Sequence, residues 1–324
     1  ARKVRDLMDR WTQAARMMSS LGIPLVQGLR MLVNGPSGQL VQIPEPDEDC
    51  VMEPGQNLRQ TLDILAGKVP VSIPELPSRL DALMRPYQKE GFSFLYRITE
   101  RGFGACLADD MGLGKTLQAI AWLDALRRKG RLEGLPALIV APASLLSNWK
   151  EEAQRFAPEL ILRIMHPSSP DPWQPENTLR RKDCHAVITT YGMAARTSAL
   201  ADLHFPAIIL DEAQAIKNAG SARSRAIRSL HGERRIALSG TPVENNLNEL
   251  WSLMEFLNPG LLGSRKSFES FTRSLERGYA PLRRLVRPFI LRRMKTDPAL
   301  VPDLPDKTEI PAYCSLTPEQ AALY

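Results

Sequence analysis

Six short apolar runs constrain the fold of this chain more than any other feature of its sequence. They lie at residues 105–108, 137–140, 160–162, 186–189, 207–210 and 236–238. Polar side chains do not alternate with the apolar ones in these runs, which is typical of strands buried on both faces. Helical segments separate several of the runs, at residues 115–128, 144–156 and 246–257. This alternation predicts an α/β fold with a parallel sheet flanked by helices, and ligands of such sheets bind at the carboxyl ends of the strands.

The chain has 324 residues, a length that corresponds to about two domains. We expect residues 1–78 to form a mainly helical accessory region with linkers. Residues 79–312 are expected to form the α/β lobe, with a helical extension from about residue 260. Thr317 and Pro318 carry helix-start signals close to the end of the chain. We therefore expect residues 313–324 to begin a connection to a further domain, and the chain to be a fragment of a longer protein.

The composition of the chain excludes several classes of protein. Apolar residues make up 44% and charged residues 24%, as in ordinary globular domains and unlike disordered or collagen-like chains. Cys50, Cys106, Cys184 and Cys314 are far apart, which excludes a disulfide scaffold or zinc ribbon and favours buried thiols in a reducing compartment. The longest uncharged stretch, residues 134–149, is shorter than the about 20 apolar residues of a membrane span. Since a signal-peptide pattern is also missing, we expect a cytoplasmic protein.

Positive charge is concentrated between residues 264 and 295. Ten basic and two acidic residues give this window a net charge of +8, whereas the formal net charge of the whole chain is +6. The basic residues are Arg265, Lys266, Arg273, Arg277, Arg283, Arg284, Arg287, Arg292, Arg293 and Lys295. Such a cluster can bind a polyanion such as nucleic acid, or it can be a solvated helical face.

The first apolar run leads into a candidate phosphate-binding loop. Residues 109–116 read Asp-Asp-Met-Gly-Leu-Gly-Lys-Thr and are followed by a helical segment. Glycines allow the backbone to approach a phosphate chain, and a helix N-terminus offers free N–H groups and a positive dipole end. Lys115 can reach the β- and γ-phosphates of a nucleotide, and the Thr116 hydroxyl can ligate Mg²⁺. A strict phosphate loop has glycine where this chain has Asp109.

Two further strand ends carry candidate catalytic residues. Asp211 and Glu212 follow the apolar run 207–210, where a buried carboxylate is costly unless a cation or ligand meets it. Asp211 suits a magnesium shell, and Glu212 suits a general base for the attacking water. A helix-capping acidic pair is the alternative for these two carboxylates. The third strand end, residues 238–246, contains small hydroxyl residues and could otherwise be a tight turn before a helix.

Together these residues resemble the motifs of the Swi/Snf family of ATP-dependent double-stranded-DNA translocases, in helicase superfamily two. The resemblance covers about residues 80–324 and follows the family's motif order. The adenine-reading segment lies at 85–91, motif I at 108–116, motif Ia at 141–149 and motif Ib at 189–192. Motif II lies at 211–218, motif III at 238–251 and the exit from the first lobe at 288–307. Gln214 stands where many members have histidine. The flanking sequence resembles bacterial and archaeal members more than nucleosome remodellers.

The resemblance implies a RecA-like first lobe that binds ATP and Mg²⁺ against a second RecA-like lobe, which would carry the arginine fingers. Lys115, Asp211 and Glu212 would be catalytic, and Thr116 and Asp211 would hold the metal. The nucleotide-binding residues would be Arg85, Gln88, Met111, Gly112, Leu113, Gly114, Lys115, Thr116 and Gln214. Without the second lobe, the fragment is expected to hydrolyse ATP poorly.

The resemblance also implies contacts with the backbone of duplex DNA, which would place the protein at the nucleoid. Candidate DNA-binding residues are Pro142, Ser144, Asn148, Thr190, Tyr191, Gly240, Thr241, Asn245, Arg265 and Lys266. For the aromatic rings of Trp149, Tyr191 and Trp251 we favour packing in the core over stacking on bases. Two other functions remain open, a non-catalytic ATP-gated DNA-binding scaffold and an RNA-stimulated helicase. The intact Lys115 and acid pair argue against the scaffold.

The basic window yields a prediction on salt dependence. Binding of the full-length protein to duplex DNA should weaken steeply with salt, with a slope of about −0.9 per phosphate contact. Replacement of Arg265, Lys266, Arg273 and Arg277 with glutamine should flatten that slope and leave ATP binding unchanged. Affinities measured over a series of salt concentrations test this. An unchanged slope would move the DNA site from this window to the loops of motifs Ia, Ib and III.

Overall fold

The computed structural model describes residues 72–170, 184–241, 247–274 and 279–297. Within these ranges a seven-stranded sheet forms the centre of the fold. Its strands are β1 (Ala105–Leu107), β2 (Ala137–Ala141), β3 (Leu162–Met165), β4 (Ala186–Thr190), β5 (His204–Leu210), β6 (His231–Leu238) and β7 (Ile290–Leu291). The order across the sheet is β3-β4-β2-β5-β6-β1-β7, and each neighbouring pair is parallel. The predicted parallel α/β fold is thus confirmed.

Helices connect the strands. They are α1 (Ser78–Leu83), α2 (Pro86–Thr99), α3 (Lys115–Arg128), α4 (Leu146–Phe156), α5 (Tyr191–Arg196), α6 (Ala222–Arg228), α7 (Leu247–Leu257), α8 (Arg265–Ser274) and α9 (Ala280–Val286). Short 3₁₀ turns lie at Ala143–Leu145, Ser198–Leu200, Ala213–Ile216 and Arg287–Phe289. None of the helices in the described ranges is both long and apolar enough to cross a membrane. The predicted helix at 115–128 has the bounds of α3, and α4 begins two residues later than expected.

The sheet is buried on both faces, as the apolar runs predict. All five residues of β2 are inaccessible to solvent, and so are residues 207–210 of β5. Five of the six expected strands lie where the sequence places them. The run at 160–162 is displaced, because Leu160 donates its backbone N–H to the Ala157 carbonyl in a turn (2.8 Å), and β3 starts only at Leu162. At the edge of the sheet, β3 tolerates the half-buried Arg163, which interrupts its apolar pattern.

Strand β7 is too short to be recognised from the sequence. Its residues Ile290 and Leu291 pair in parallel with Cys106 and Leu107 of β1. The pairing continues into the following loop, because Asp110 donates its backbone N–H to the carbonyl of Arg293 (3.0 Å). The segment after β7 therefore lies alongside the first residues of the candidate phosphate loop.

Trp149 and Trp251, which could either pack in the core or stack on bases, lie in the core. Trp149 is fully buried and Trp251 is 8% exposed, so the preference for core packing is confirmed. Cys106 and Cys184 are free and buried, as expected, and burial raises the pKa of the Cys106 thiol to about 12. The chain divides at residue 294, and the side-chain contacts discussed below lie on the N-terminal side of that division.

Several expectations lie outside the described residues. They concern the accessory region up to residue 71, the thiols of Cys50 and Cys314, the candidate DNA contacts Asn245 and Arg277, and residues 298–324, with the end of the lobe and the connection at 313–324.

Because all strands run parallel, their carboxyl ends lie at one edge of the sheet. The phosphate loop follows β1 there, and the acid pair follows β5. The segments after β2, β4 and β6 carry motifs Ia, Ib and III to the same edge.

Candidate active site

The loop between β1 and α3 has the backbone geometry of a phosphate cradle. Gly112 and Gly114 adopt φ values of 81° and 76°, a left-handed conformation that glycine accepts and other residues rarely do. A Cβ atom on Gly114 would lie 2.4 Å from Nε2 of Gln88, so a side chain there would displace the buried Gln88 amide. Gly114 directly precedes α3, whose N-terminal N–H groups and positive dipole end face the loop.

The Lys115 ammonium lies inside this loop. Its Nζ donates hydrogen bonds to the carbonyl oxygens of Asp109 (2.7 Å) and Asp110 (3.4 Å). Lys115 is 8% exposed, so most of the side chain is enclosed by protein. A positive charge held among loop carbonyls at the start of a helix is suited to the phosphates of a nucleotide.

Gln88 connects helix α2 to the phosphate loop. Its Oε1 accepts from the backbone N–H of Arg85 (2.9 Å), which caps the start of α2, and its Nε2 donates to the Leu113 carbonyl (3.2 Å). Gln88 is buried beneath the loop, whereas Arg85 is exposed. The expected contact of Gln88 with adenine stays a prediction.

Thr116 is half-buried at the start of α3, and Met111 is exposed at the tip of the loop.

Asp109, which replaces the glycine of a strict phosphate loop, forms a buried ion pair. The Arg293 guanidinium donates from Nε to Oδ1 (2.9 Å) and from Nη2 to Oδ2 (2.5 Å) of Asp109. Asp109 is fully buried and Arg293 is 8% exposed, although 184 residues separate them in sequence. Arg293 also donates to Oε1 of Gln118 (2.9 Å) and to the carbonyl of Tyr87, and stacks over the Tyr87 ring. Within the basic window, Arg293 therefore has a structural role, whereas its neighbour Arg292 is exposed.

Asp211 is held firmly at the end of β5. Its Oδ2 accepts from Nε1 of Trp149 (2.7 Å), and its Oδ1 accepts from the backbone N–H of Glu212 (3.0 Å). The Tyr191 hydroxyl donates to the Asp211 carbonyl (2.7 Å). The carboxylate is 4% exposed. Sequence reasoning missed the roles of Trp149 and Tyr191, although a buried carboxylate and a buried indole N–H each need a partner.

The electrostatics of Asp211 suit a site for a cation. Burial raises the pKa of this carboxyl, the hydrogen bond from Trp149 lowers it, and the charge of Glu212 raises it again. The charge of Lys115 has a smaller effect and lowers the same pKa. The described residues contain no group of three or more metal-ligating side chains. One carboxylate, with Thr116 and a nucleotide, fits Mg²⁺, which keeps several waters and takes few protein ligands.

Glu212 has a strained backbone conformation, and its carboxylate belongs to a series of side-chain hydrogen bonds. It has φ 50° and is the one non-glycine residue with positive φ among those that the structure describes. Such strain is found at functional sites, where surrounding contacts maintain it. Nε2 of Gln214 donates to Oε2 of Glu212 (2.6 Å), and Oγ of Ser239 donates to Oε1 of Gln214 (2.8 Å). Gln214 thus joins the acid pair to the end of β6, using the donor and the acceptor of its amide. Oγ of Ser239 also accepts from the backbone N–H of Thr241 (3.1 Å).

The first candidate DNA contacts follow strands β2 and β4. Ser144 and Asn148 are exposed, and Pro142 is half-buried at the end of β2. Thr190 is half-buried and caps α5, its hydroxyl accepting from the backbone N–H of Met193 (3.2 Å). Tyr191 is 5% exposed and its hydroxyl binds Asp211, so its side chain belongs to the core and does not reach a surface where DNA could lie.

The remaining candidate DNA contacts lie near the phosphate loop and on α8. Gly240 is buried, and a Cβ there would lie 3.2 Å from Cγ of Met111, while Thr241 is exposed. On α8, Arg265 and Lys266 are exposed, as the sequence predicts. Arg265 forms an exposed ion pair with Glu269 (2.9 Å), a kind of contact that contributes little to stability.

Comparison with known proteins identifies relatives of the chain. Residues 87–324 match the model of the SNF2-related domain. The chain is 45% identical over 248 residues to YwqA of Bacillus subtilis, whose name describes an ATP-dependent helicase/translocase; the match covers 74% of this chain and 27% of that protein. It is 38% identical over 271 residues to the chromatin-remodeling ATPase INO80 of Vanderwaltozyma polyspora, covering 77% of this chain and 17% of that protein. The chain thus spans about a quarter or less of the length of these relatives.

A solved structure shares the fold. The SWI2/SNF2 ATPase core of Sulfolobus solfataricus, determined in complex with dsDNA, matches with a TM-score of 0.64 and 42% identity. The match covers 78% of this chain and 53% of that chain. The expected RecA-like lobe is thereby confirmed. Identity to these bacterial and archaeal proteins is higher than to the INO80 protein, as the flanking sequence predicts.

The buried ion pair gives a prediction on stability. Arg293→Met should lower the free energy of unfolding by about 3–5 kcal/mol, because it leaves the Asp109 carboxylate buried without its cation. Arg292→Met is the matched control and should change it by about 0.5 kcal/mol or less, since Arg292 is exposed. Urea unfolding of the full-length protein measures both. The Asp109→Asn/Arg293→Met double variant should recover part of the loss. Equal effects of the two single arginine variants would contradict the role of the ion pair.

Proposed function

This chain belongs to the SNF2-related domain family, and from that premise we propose that it is the ATP-binding first lobe of a Swi/Snf-type motor. The motor would couple ATP hydrolysis to translocation on duplex DNA and so remodel or displace protein–DNA complexes. The observation that carries the proposal is the position of the phosphate loop after β1 and of the acid pair after β5, at the same edge of the parallel sheet.

Each residue of this site has a chemical role in the proposal. The loop N–H groups and the Lys115 ammonium bind and orient the phosphates of ATP. Thr116 and Asp211 would hold Mg²⁺, which would supply positive charge to neutralise the phosphates of ATP. Glu212 orients the attacking water and accepts its proton. Gln214 fixes the Glu212 carboxylate through the 2.6 Å hydrogen bond and keeps it directed to one position.

A second lobe and duplex DNA complete the proposed motor. The second lobe would supply arginine side chains to the transition state, as cationic groups do in other phosphoryl-transfer enzymes. The exposed Ser144 and Asn148, together with the backbone near Thr190, can contact DNA phosphates. Such contacts position a protein on the duplex but do not read its sequence. We therefore expect binding with little dependence on base sequence.

Lys115→Ala tests the phosphate site. We expect DNA-stimulated ATP turnover of the full-length protein to fall at least about 100-fold, because a charge directed at the transferred phosphoryl group is lost. Lys129→Ala is the matched control, because Lys129 directly follows the same helix at its other end, roughly 20 Å away. Steady-state ATPase assays with duplex DNA, with RNA and without nucleic acid measure the effect. ATPase close to wild type in Lys115→Ala would refute the site, and stimulation by RNA alone would favour the helicase alternative.

Glu212→Gln separates binding from hydrolysis. The variant should keep ATP and Mg²⁺ affinity but turn over at least about 100-fold more slowly, because an amide cannot accept the proton of the water. Asp211→Asn should instead lose the Mg²⁺ dependence of nucleotide binding. Equilibrium binding of a fluorescent ATP analogue and single-turnover hydrolysis distinguish the two steps. Loss of nucleotide binding in Glu212→Gln would place Glu212 in the metal shell or in the fold.

A further inference from the structure

Two buried aromatic side chains from different helices hold Asp211. Trp149 lies in α4 and donates its indole N–H to Oδ2 of Asp211 (2.7 Å), across 62 residues of sequence. Tyr191 is the first residue of α5 and donates its hydroxyl to the carbonyl of Asp211 (2.7 Å). Neither residue is needed by the proposed chemistry of the site.

The helices that carry these aromatics also carry the candidate DNA contacts. The neighbours of Trp149 in α4, Asn148 and Lys150, are exposed, whereas Trp149 itself is fully buried. Tyr191 follows Thr190, the half-buried residue that caps α5. Helix α4 therefore has one side at the candidate DNA surface, and α5 begins directly after the candidate contact Thr190. Each helix also carries one aromatic that binds Asp211.

We infer that Trp149 and Tyr191 are positioning residues that couple duplex DNA at α4 and α5 to the Asp211 carboxylate and, through it, to Mg²⁺. The inference rests on the proposed function, since it requires that this site binds Mg²⁺–ATP and that these helices bind DNA. It adds which residues transmit DNA binding to the nucleotide site.

Close packing makes this transmission physically direct. Trp149 is 0% exposed and Tyr191 is 5% exposed, and protein interiors leave little free space into which such rings can move. A shift of either helix on binding a DNA backbone is therefore carried to Asp211. The backbone of Asp211 is also fixed in the sheet, because its N–H donates to the Val140 carbonyl (2.8 Å). Of the aspartate's groups, the carboxylate is left to reorient, and the indole N–H sets its direction.

The hydrogen bond from Trp149 should set how well Asp211 binds a metal. Both carboxylate oxygens already accept one hydrogen bond, Oδ2 from Trp149 and Oδ1 from the Glu212 backbone, which orients the remaining lone pairs. Groups that orient a metal ligand typically change metal affinity by about 10–100-fold when they are removed. A purely structural hydrogen bond would change stability but not the Mg²⁺ dependence.

Trp149→Phe in the full-length protein tests the coupling. Trp122→Phe is the matched control, because Trp122 is also fully buried and donates its indole N–H (3.0 Å) to the Thr99 hydroxyl instead of the acid pair. Binding of fluorescently labelled ADP is titrated with Mg²⁺, with and without a short DNA duplex, and in EDTA. DNA-stimulated ATPase is measured in parallel.

For wild type, we expect the duplex to shift the Mg²⁺ concentration that gives half-maximal ADP binding. In Trp149→Phe that concentration should rise about 10-fold and the shift with DNA should disappear, while ADP binding in EDTA stays unchanged. Trp122→Phe should behave as wild type in all three measurements. A Trp149→Phe protein that matches Trp122→Phe, while wild type keeps DNA-stimulated ATPase, overturns the coupling alone. Wild type without DNA-stimulated ATPase overturns the proposed function as well.

Tyr191→Phe provides a second test that removes a single oxygen atom and disturbs packing less. It should reduce the DNA-dependent shift in Mg²⁺ dependence and leave ADP binding in EDTA unchanged. Tyr96→Phe is its control, because Tyr96 is equally buried and its hydroxyl accepts a hydrogen bond from Lys129. An unaltered shift in Tyr191→Phe removes this residue from the coupling and contradicts the inference for α5.

Discussion

A buried ion pair between Asp109 and Arg293 fixes the start of the phosphate loop, and the geometry of the nucleotide site depends on it. Asp109 binds Arg293 through its carboxylate and Lys115 through its carbonyl, so one residue connects the lysine of the phosphate loop to the segment after β7. Gln118 adds a bridge, since it accepts from Arg293 and donates to the Gly114 carbonyl. An aspartate where other phosphate loops have glycine therefore serves a structural purpose.

The acid pair is held in a comparable way from several elements. Trp149, Tyr191 and the backbone of β2 fix Asp211, while Gln214 and Ser239 fix Glu212. The partners of Asp211 come from elements that follow β2 and β4, whereas Glu212 binds Gln214 of its own loop, which Ser239 at the end of β6 binds in turn. Such hydrogen bonds make burial of a carboxylate tolerable. Trp149 and Tyr191 belong to motifs Ia and Ib, and each reaches Asp211 through a single hydrogen bond. Ser239 of motif III reaches Glu212 through Gln214.

The sequence was sufficient for the class of fold, and it indicated the candidate reactive residues. Unbroken apolar runs between helical segments specify a buried parallel sheet, because only such strands need apolar side chains on both faces. The glycines before Lys115 and the two acids after the run 207–210 identified the phosphate loop and the acid pair, because backbone geometry and charge limit which residues can serve there. The start of the edge strand β3 was expected two residues too early, because Leu160 lies in a turn, and the two-residue β7 was too short to be recognised.

By itself, the sequence determined local periodicity, loop chemistry and which side chains could do the catalytic work. Tertiary structure alone decided which distant residues meet. Asp109 and Arg293 are separated by 184 residues, and Trp149 and Asp211 by 62. The strand order β3-β4-β2-β5-β6-β1-β7 brings them together, and nothing in a local pattern encodes that order. The physical reason is that a buried polar group must find its partner wherever the packed chain supplies one, so the partners of Asp109, Asp211 and Glu212 became visible only once the sheet was assembled.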